Sequence, residues 1–471
     1  MKKVVFSSLV VAAILFFGCK NDGNDEDPQV FTVTFESNGG SFVPPQTVKE
    51  GDKVDEPSEP LQSGFTFLGW YKDAEWTSQW DFDIDVVTDN LTLYAKWDEN
   101  EVNALFLVNA EPIAVIPKTL LSSVASSYLD NLDAALFKSN VRVVKVIYKT
   151  EYPEGTILHV SGIACISEDL NPNFPTLVYL HGTVEKGGAP SDKMEGFAEG
   201  AVISSVTNGV VLMPDYIGYG ESENVLHPYC HGPSLAQTSF DMIRAYKEYA
   251  TDNFNSNIFI TGYSEGGYAA VALQKKIQEI VGSGLNVHKT VAGSGPYDFV
   301  SFGEQFLSKD EKLDPKELGS YLWAIGMFKI DYGYSKPFED IFSAEDNAKL
   351  KAINYDLGYF NPVNKTDINL NPQNLLKQSF ISGAKNGTDT EFMNILKANS
   401  LVDFFPADSL IFVYGNADTW VYPVNTENAY NAMKQEGCPV KSYMLPGGNH
   451  NTTVNLYLDV LLLRLMMEDK K

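Results

Sequence analysis

The sequence predicts an α/β fold: a doubly wound, mostly parallel sheet in the larger C-terminal part, behind a small separate β module. Three observations carry this expectation. From about residue 100 onward, short apolar runs ending in glycine or polar residues alternate with helical patterns, the rhythm of βαβ units. Residues 30–98 instead alternate apolar and polar positions between Asn-Gly, Gly and Pro breaks, as strands and tight turns do. A chain of 471 residues is also long for a single core, so two or more folded units are expected.

Composition narrows the function classes. Hydrophobic content of 44% and charged content of 20% describe a globular chain. Lys+Arg of 35 against Asp+Glu of 61 gives a formal net charge of -26. Such a surface repels phosphate backbones, which argues against nucleic acid as a partner. The 4 cysteines, at positions 19, 165, 230 and 438, form no CxxC pair, and the 6 histidines form no HExxH cluster. Nothing in this pattern points to a metal or a cofactor.

The first residues read as an address. MKKVVFSSLVVAAILFFGC has a basic start, an apolar stretch from Val4 to Phe17, and a small residue before Cys19. The stretch is short for a membrane span and has the layout of a secretory signal. With Gly18-Cys19 it resembles the lipobox of bacterial lipoproteins, although Phe16 and Phe17 depart from the usual Leu-Ala/Ser-Gly pattern. The resemblance implies a signal over residues 1–19, lipidation of Cys19 and a membrane anchor through that lipid. Residues 20–29, KNDGNDEDPQ, read as an acidic tether. Their lysine followed by acidic residues resembles the surface-export signal of Bacteroidetes lipoproteins, which implies an outward-facing protein on the outer membrane. Cys165, Cys230 and Cys438 then allow at most one internal disulfide, and the sequence does not choose it.

In residues 30–98, FTVTFESNGG breaks at Asn38-Gly39-Gly40, and GFTFLGWY and LTLYAKW repeat the strand pattern with aromatic residues. VTFESNGG, KEGDKVDEP, GFTFLGWYKDAEW, WDFD and LTLYAKW together resemble one Listeria–Bacteroides repeat, a small β-grasp-like module of surface proteins. The resemblance implies a spacer or adhesive role. Trp70, Trp76, Trp80 and Trp97 fall on the repeat's strand positions, so core packing is expected of them. The competing reading is a platform for surface polysaccharide.

The main domain is expected over residues 100–471. VRVVKVIYKT and ILHVSGIACIS read as a β pair at the sheet edge, followed by the strand-like runs TLVYLHGT, VVLMPDY, IFITGYS, KTVAGSGP, LIFVYGNAD and SYMLPGG, which end in glycine or polar residues. Helices are expected in SLAQTSFDMIRAYKEYA, GGYAAVALQKKIQEIV, NTENAYNAMKQEG and NTTVNLYLDVLLLRLMME. Between the sixth and seventh strands, at about 297–405, the rhythm gives way to an aromatic-rich, mostly helical stretch. It reads either as a cap over the reactive edge or as a purely structural insertion.

IFITGYSEGGYAA has the strand, tight turn and helix start of a Gly-x-Ser-x-Gly elbow, with Ser264 between Gly262 and Gly266. A serine hydroxyl needs a base, and in this arrangement the order is serine, acid, histidine. His450 in LPGGNHN follows the last expected strand, whereas His288 precedes one. Asp418 follows the seventh strand, and Asp403 and Asp408 are rivals that precede it. The oxyanion formed by acyl transfer needs backbone donors. These are expected at Glu265, just after the nucleophile, and at Thr183 in the LHGT loop, with Val184 as the alternative. His181 reads as shaping that loop. His227, Tyr229 and His231 read either as site-lining or as structural.

LHGT, PDYIGYGES, GYSEGG, GNAD and GGNH, in this order, resemble the α/β-hydrolase superfamily over about residues 140–465. PDYIGYGES and HPYCHGPSLAQTSFDMIRA are similar to its secreted lipase/esterase-like members. The resemblance implies acyl transfer to water through an acyl-serine intermediate with no cofactor, and it does not fix the substrate. The leading reading is a serine carboxylic ester hydrolase acting on small-molecule esters, and the resemblance to Bacteroidetes surface lipoproteins adds carbohydrate esters among them. Two alternatives stand beside it: a serine peptidase of the prolyl-oligopeptidase type, and a catalytically silent surface adhesion protein.

Overall fold

The computed structural model describes residues 29–457, apart from 39–42, 58, 61–64, 100–105, 129–133, 154, 251–253 and 281. The expected signal segment, Cys19, most of the tether and the last expected helix beyond Tyr457 lie outside the described residues. The chain divides into two units, Met1–Ala104 and Leu105–Lys471.

The first unit is a four-stranded sheet of β1 (Val30–Glu36), β2 (Gln46–Lys49), β3 (Phe65–Tyr71) and β4 (Leu91–Glu99), in the order β2-β1-β4-β3. β1 and β4 pair in parallel at its centre, and the outer pairs are antiparallel. Every second residue of β1 is buried, so Phe31, Val33 and Phe35 face one small core with Leu93 and Ala95. Trp70 and Trp80 lie inside that core, and the Phe35 and Trp70 rings meet edge to face at 4.9 Å. Trp97 packs partly buried against it. Trp76 departs from the expectation: it is 41% exposed, and its indole N–H donates to the Ala95 carbonyl at 3.1 Å.

The second unit is built on a nine-stranded sheet. Its strands are β5 (Leu107–Ile116), β6 (Val141–Glu151), β7 (Ile157–Ser167), β8 (Thr176–Leu180), β9 (Val210–Pro214), β10 (Asn257–Tyr263), β11 (Asn286–Gly293), β12 (Leu410–Gly415) and β13 (Val440–Leu445). The order is β13-β12-β11-β10-β8-β9-β7-β6-β5. β5, β6 and β7 are antiparallel to their neighbours, and the pairs from β9 through β8 to β13 are parallel. The expected edge pair is therefore one strand inside the edge, which β5 occupies. LVNAEPIAVI concealed that strand because it is mostly exposed, carries Pro112 and slips register twice. An edge strand tolerates a proline that an inner strand would not.

Central strands β8 and β9 are buried at every residue. Alternate residues feed two different cores. Ile258 and Ile260 of β10 join the core beneath α3 (Gly232–Ala250) and α4 (Glu265–Glu279), and Phe259 and Tyr263 face the core of α1 (Lys118–Tyr128) and α2 (Ala198–Thr207). This is the doubly wound arrangement. The chain runs from β8 outward to β9, then returns across β8 to β10. The carboxyl ends of β8 and β10 flank that reversal, where open α/β sheets place ligands.

The insertion between β11 and β12 is helical: α5 (Phe299–Ser308), α6 (Pro315–Asp331), α7 (Phe338–Ile341), α8 (Ala344–Ala352), α9 (Asn361–Lys365), α10 (Pro372–Leu375), α11 (Gln378–Lys385) and α12 (Thr390–Asn399). Trp323, Phe299, Phe342 and Phe380 are fully buried in it, in one continuous core with the sheet. Among the described residues two further helices follow, α13 (Pro423–Gln435) and α14 (His450–Leu456). No described helix is long and apolar enough to cross a membrane.

Candidate active site

The site grows out of the turn from β10 into α4. Ser264 sits between them with φ 59° and ψ −123°, a backbone region that costs a non-glycine residue strain and that surrounding structure must hold. Its amide donates to the Gly293 carbonyl at 2.8 Å, tying the turn to β11. A side chain at Gly266 would collide with the Leu180 carbonyl of β8, and one at Gly262 with the Gly266 carbonyl. The two glycines are therefore required by close backbone approach, and they bring the start of α4 against the end of β8.

Three side chains converge here from three separate segments. His450 Nε2 is 2.9 Å from Ser264 Oγ, and His450 Nδ1 is 2.7 Å from Asp418 Oδ2. An ionised carboxylate only accepts, so Nδ1 carries the ring proton and Nε2 is left to accept from the serine hydroxyl. Asp418 is buried, and its second oxygen accepts the Trp420 and Val421 amides at 3.0 Å each. His450 opens α14, where Asn449 caps the helix in a reciprocal box with Thr452. The imidazole lies between the Trp420 ring at 5.2 Å and the Tyr263 ring at 5.3 Å, and the Tyr263 hydroxyl donates to the His450 carbonyl at 2.7 Å.

The insertion reaches this acid turn directly. Lys309, which pairs with the buried Glu317, donates to the Thr419 carbonyl at 2.8 Å, and the Tyr321 hydroxyl donates to the Trp420 carbonyl at 3.1 Å. Burial pushes the Glu317 carboxyl up, against the pull of Lys309.

Glu265 is the first residue of α4, so its N–H has no intrahelical acceptor. The LHGT loop runs beside Ser264: the space over Gly182 Cα is 3.1 Å from the Tyr263 carbonyl and 3.7 Å from Ser264 Cβ. Thr183 follows, its hydroxyl 2.9 Å from the Tyr229 hydroxyl. The Val184 carbonyl accepts from the Tyr219 hydroxyl at 2.9 Å. His181 is buried, with ring nitrogens 2.7 Å from the Gly182 carbonyl and 3.1 Å from the Asp215 carbonyl. Burial depresses its basicity. It holds the loop and stands apart from the Ser264, His450 and Asp418 chain.

The rivals fall elsewhere. His288 is the third residue of β11, at the far end from Gly293. Asp403 is exposed, and Asp408 precedes β12, its carbonyl accepting from Gln274 at 3.2 Å. His231 contacts Ser234 at 3.0 Å, and burial lowers its pKa to about 4. Cys165, Cys230 and Cys438 are free thiols, all pushed up by burial and therefore poor nucleophiles. Among the described residues no cluster of His, Cys, Asp or Glu has a metal-binding arrangement.

The sequence reading missed the side chain of Glu265 and the contacts of Tyr229. Glu265 is fully buried against His227, and Tyr229 stacks on Trp323 at 4.7 Å while reaching Thr183. The available signal was a carboxylate inside an otherwise small-residue turn, a position where an unpaired charge is disfavoured.

Comparison with known proteins divides along the same two units. The Listeria-Bacteroides repeat domain matches residues 31–96. A protein of Evansella cellulosilytica is 45% identical over 80 residues, which are 17% of this chain and 12% of that protein. Internalin H of Listeria monocytogenes is 30% identical over 84 residues, 18% of this chain and 15% of its own length. The chain thus spans 15% or less of the length of these curated relatives. Among solved structures, the rice cell wall degrading esterase LipA from Xanthomonas oryzae superposes with a TM-score of 0.66 at 21% identity, over 78% of this chain and 100% of that one. Candida antarctica lipase A superposes with a TM-score of 0.57 at 14% identity, over 79% of this chain and 83% of its own. Residues 31–96 match the Listeria-Bacteroides repeat domain, and the second unit shares its α/β fold with these two solved structures.

Proposed function

We propose that the protein is a serine-dependent carboxylic ester hydrolase. The observation that carries this reading is the hydrogen-bonded chain from Ser264 Oγ through His450 to Asp418, at 2.9 and 2.7 Å, on a strained strand-to-helix turn. Ser264 Oγ attacks the ester carbonyl carbon while His450 Nε2 takes its proton. The oxyanion that forms is held by the backbone N–H groups of Glu265 and Thr183. Collapse expels the alcohol, which receives the proton back from His450, and leaves an acyl-serine. Water then attacks the acyl carbon by the same route, its proton passing to His450 and on to Ser264, and the carboxylic acid departs. Asp418 keeps the imidazole in the required tautomer and offsets its charge when it is protonated. No step calls for a cofactor.

The fold likeness to a cell-wall-degrading esterase supports carbohydrate esters as a substrate class, alongside small acyl esters. The test is a panel of p-nitrophenyl esters of increasing acyl length, acetylated and feruloylated sugars, and aminoacyl-proline anilides. Ester turnover without anilide turnover is expected. The reverse order would favour the peptidase reading, and no turnover on any of them would leave the silent adhesion protein.

A lipid tether at Cys19 and an outward-facing position on the outer membrane belong to the same proposal, on the strength of the N-terminal sequence. Incorporation of an alkyne fatty acid is expected in the wild type and not in Cys19→Ser, and protease added to intact cells should remove the enzyme. An unlabelled wild-type protein would reject the tether.

A further inference from the structure

The residue after the nucleophile poses an electrostatic problem. Glu265 puts a carboxylate at the N-terminus of α4, the same helix end whose field should favour the oxyanion. A bare negative charge there would oppose the charge that develops in the transition state. Its side chain is fully buried, and Oε2 has no hydrogen-bond partner among the described residues.

His227 resolves the problem. It is also fully buried, with Nε2 2.9 Å from Glu265 Oε1 and Nδ1 2.7 Å from the Ile217 carbonyl. A carbonyl only accepts, so Nδ1 carries a proton. A second proton must then lie between Nε2 and Oε1, whichever atom holds it. The pair is an imidazolium facing a carboxylate, or a neutral imidazole facing a carboxylic acid. Either way it carries no net charge. The Cys230 amide adds a further donor to Oε1 at 3.0 Å.

The insertion fixes His227 in place. The Trp323 indole donates to its carbonyl at 3.1 Å, and its amide donates to the Tyr359 hydroxyl at 3.2 Å.

We propose that His227 is a positioning residue that keeps Glu265 from presenting a net negative charge, so that the N-terminus of α4 is kept for the oxyanion. The inference rests on the serine hydrolase reading and adds to it a device for electrostatic preorganisation. A purely structural rival exists, because His227 lies two residues before Tyr229, which contacts Thr183. The two are separated by the Glu265 charge itself.

The experiment measures kcat and KM on p-nitrophenyl butyrate for wild type, His227→Asn, Glu265→Gln and the double variant, with thermal unfolding of each. In His227→Asn the new side-chain amide keeps a donor for the Ile217 carbonyl and removes the partner of Glu265. His227→Asn is expected to lower kcat about 100-fold with KM little changed, the scale of losing one oxyanion donor. Glu265→Gln is expected to lose at least about ten-fold less, and adding it to His227→Asn is expected to recover at least about ten-fold. A double variant as slow as His227→Asn would overturn the charge role and leave the structural one. If His227→Asn does not fold, a Glu265→Gln loss beyond about 100-fold would overturn it instead. Absence of Ser264-dependent turnover in the wild type would reject the hydrolase reading, and this inference with it.

Discussion

Ser264→Ala is expected to lower kcat on the best ester by about 10⁶-fold, close to the uncatalysed rate that the remaining site can support. The substitution removes the attacking oxygen and leaves His450 with no proton to take. Little else should change, because the hydroxyl's partner in the structure is His450 Nε2. The strained backbone at φ 59° is no easier or harder for alanine than for serine. Unfolding temperature and KM for slow substrates should therefore stay near wild type. Single-turnover kinetics with a p-nitrophenyl ester, together with labelling by a fluorophosphonate probe, check this. Residual activity above about one part in a hundred, or labelling that survives the substitution, would place the nucleophile elsewhere.

Asp418→Asn carries the second-largest expected effect, about 10⁴-fold in kcat. The direction follows from what the acid turn already demands. Asp418 Oδ1 accepts two backbone amides, from Trp420 and Val421. An asparagine must keep its carbonyl oxygen on those donors, so its NH₂ group turns toward His450 Nδ1. Nδ1 must then accept, and the ring proton moves to Nε2. That tautomer cannot take the serine proton. Folding should be nearly unaffected because the two backbone bonds survive. The pH–rate profile and thermal unfolding of the variant test the account. A loss smaller than about ten-fold would mean that Asp418 does not set the tautomer.

Much of this site was legible because it depends on local pattern and chain order. The elbow at Ser264 is written as apolar strand, small residues and helix start, and each has a steric cause. His450 and Asp418 could be named because only a few candidate positions follow a strand end in the required order. The helical insertion was visible as a break in rhythm between β11 and β12. Other elements left no such trace. β5 is too exposed and irregular to read as a strand. α2 is buried at Gly200, Ala201, Ile203, Ser204, Ser205, Val206 and Thr207, so it lacks the polar face that marks an amphipathic helix. The tryptophans of the first unit all read as core, yet Trp76 is exposed at a turn with φ 55°.

Local pattern and chain order are enough to specify the two-unit plan, the alternation that yields a doubly wound sheet, and the residues that could form a nucleophile, base and acid. These are properties of near neighbours and of order along the chain. How charges pair, and what holds the turns that carry Ser264 and Asp418, follows from the packed structure. Glu265 meets His227 38 residues away, and Lys309 reaches the carbonyl of Thr419 110 residues away. A buried carboxylate is stable only with a partner that removes or shares its charge. That partner is selected by the packing of distant segments, and no local pattern encodes it.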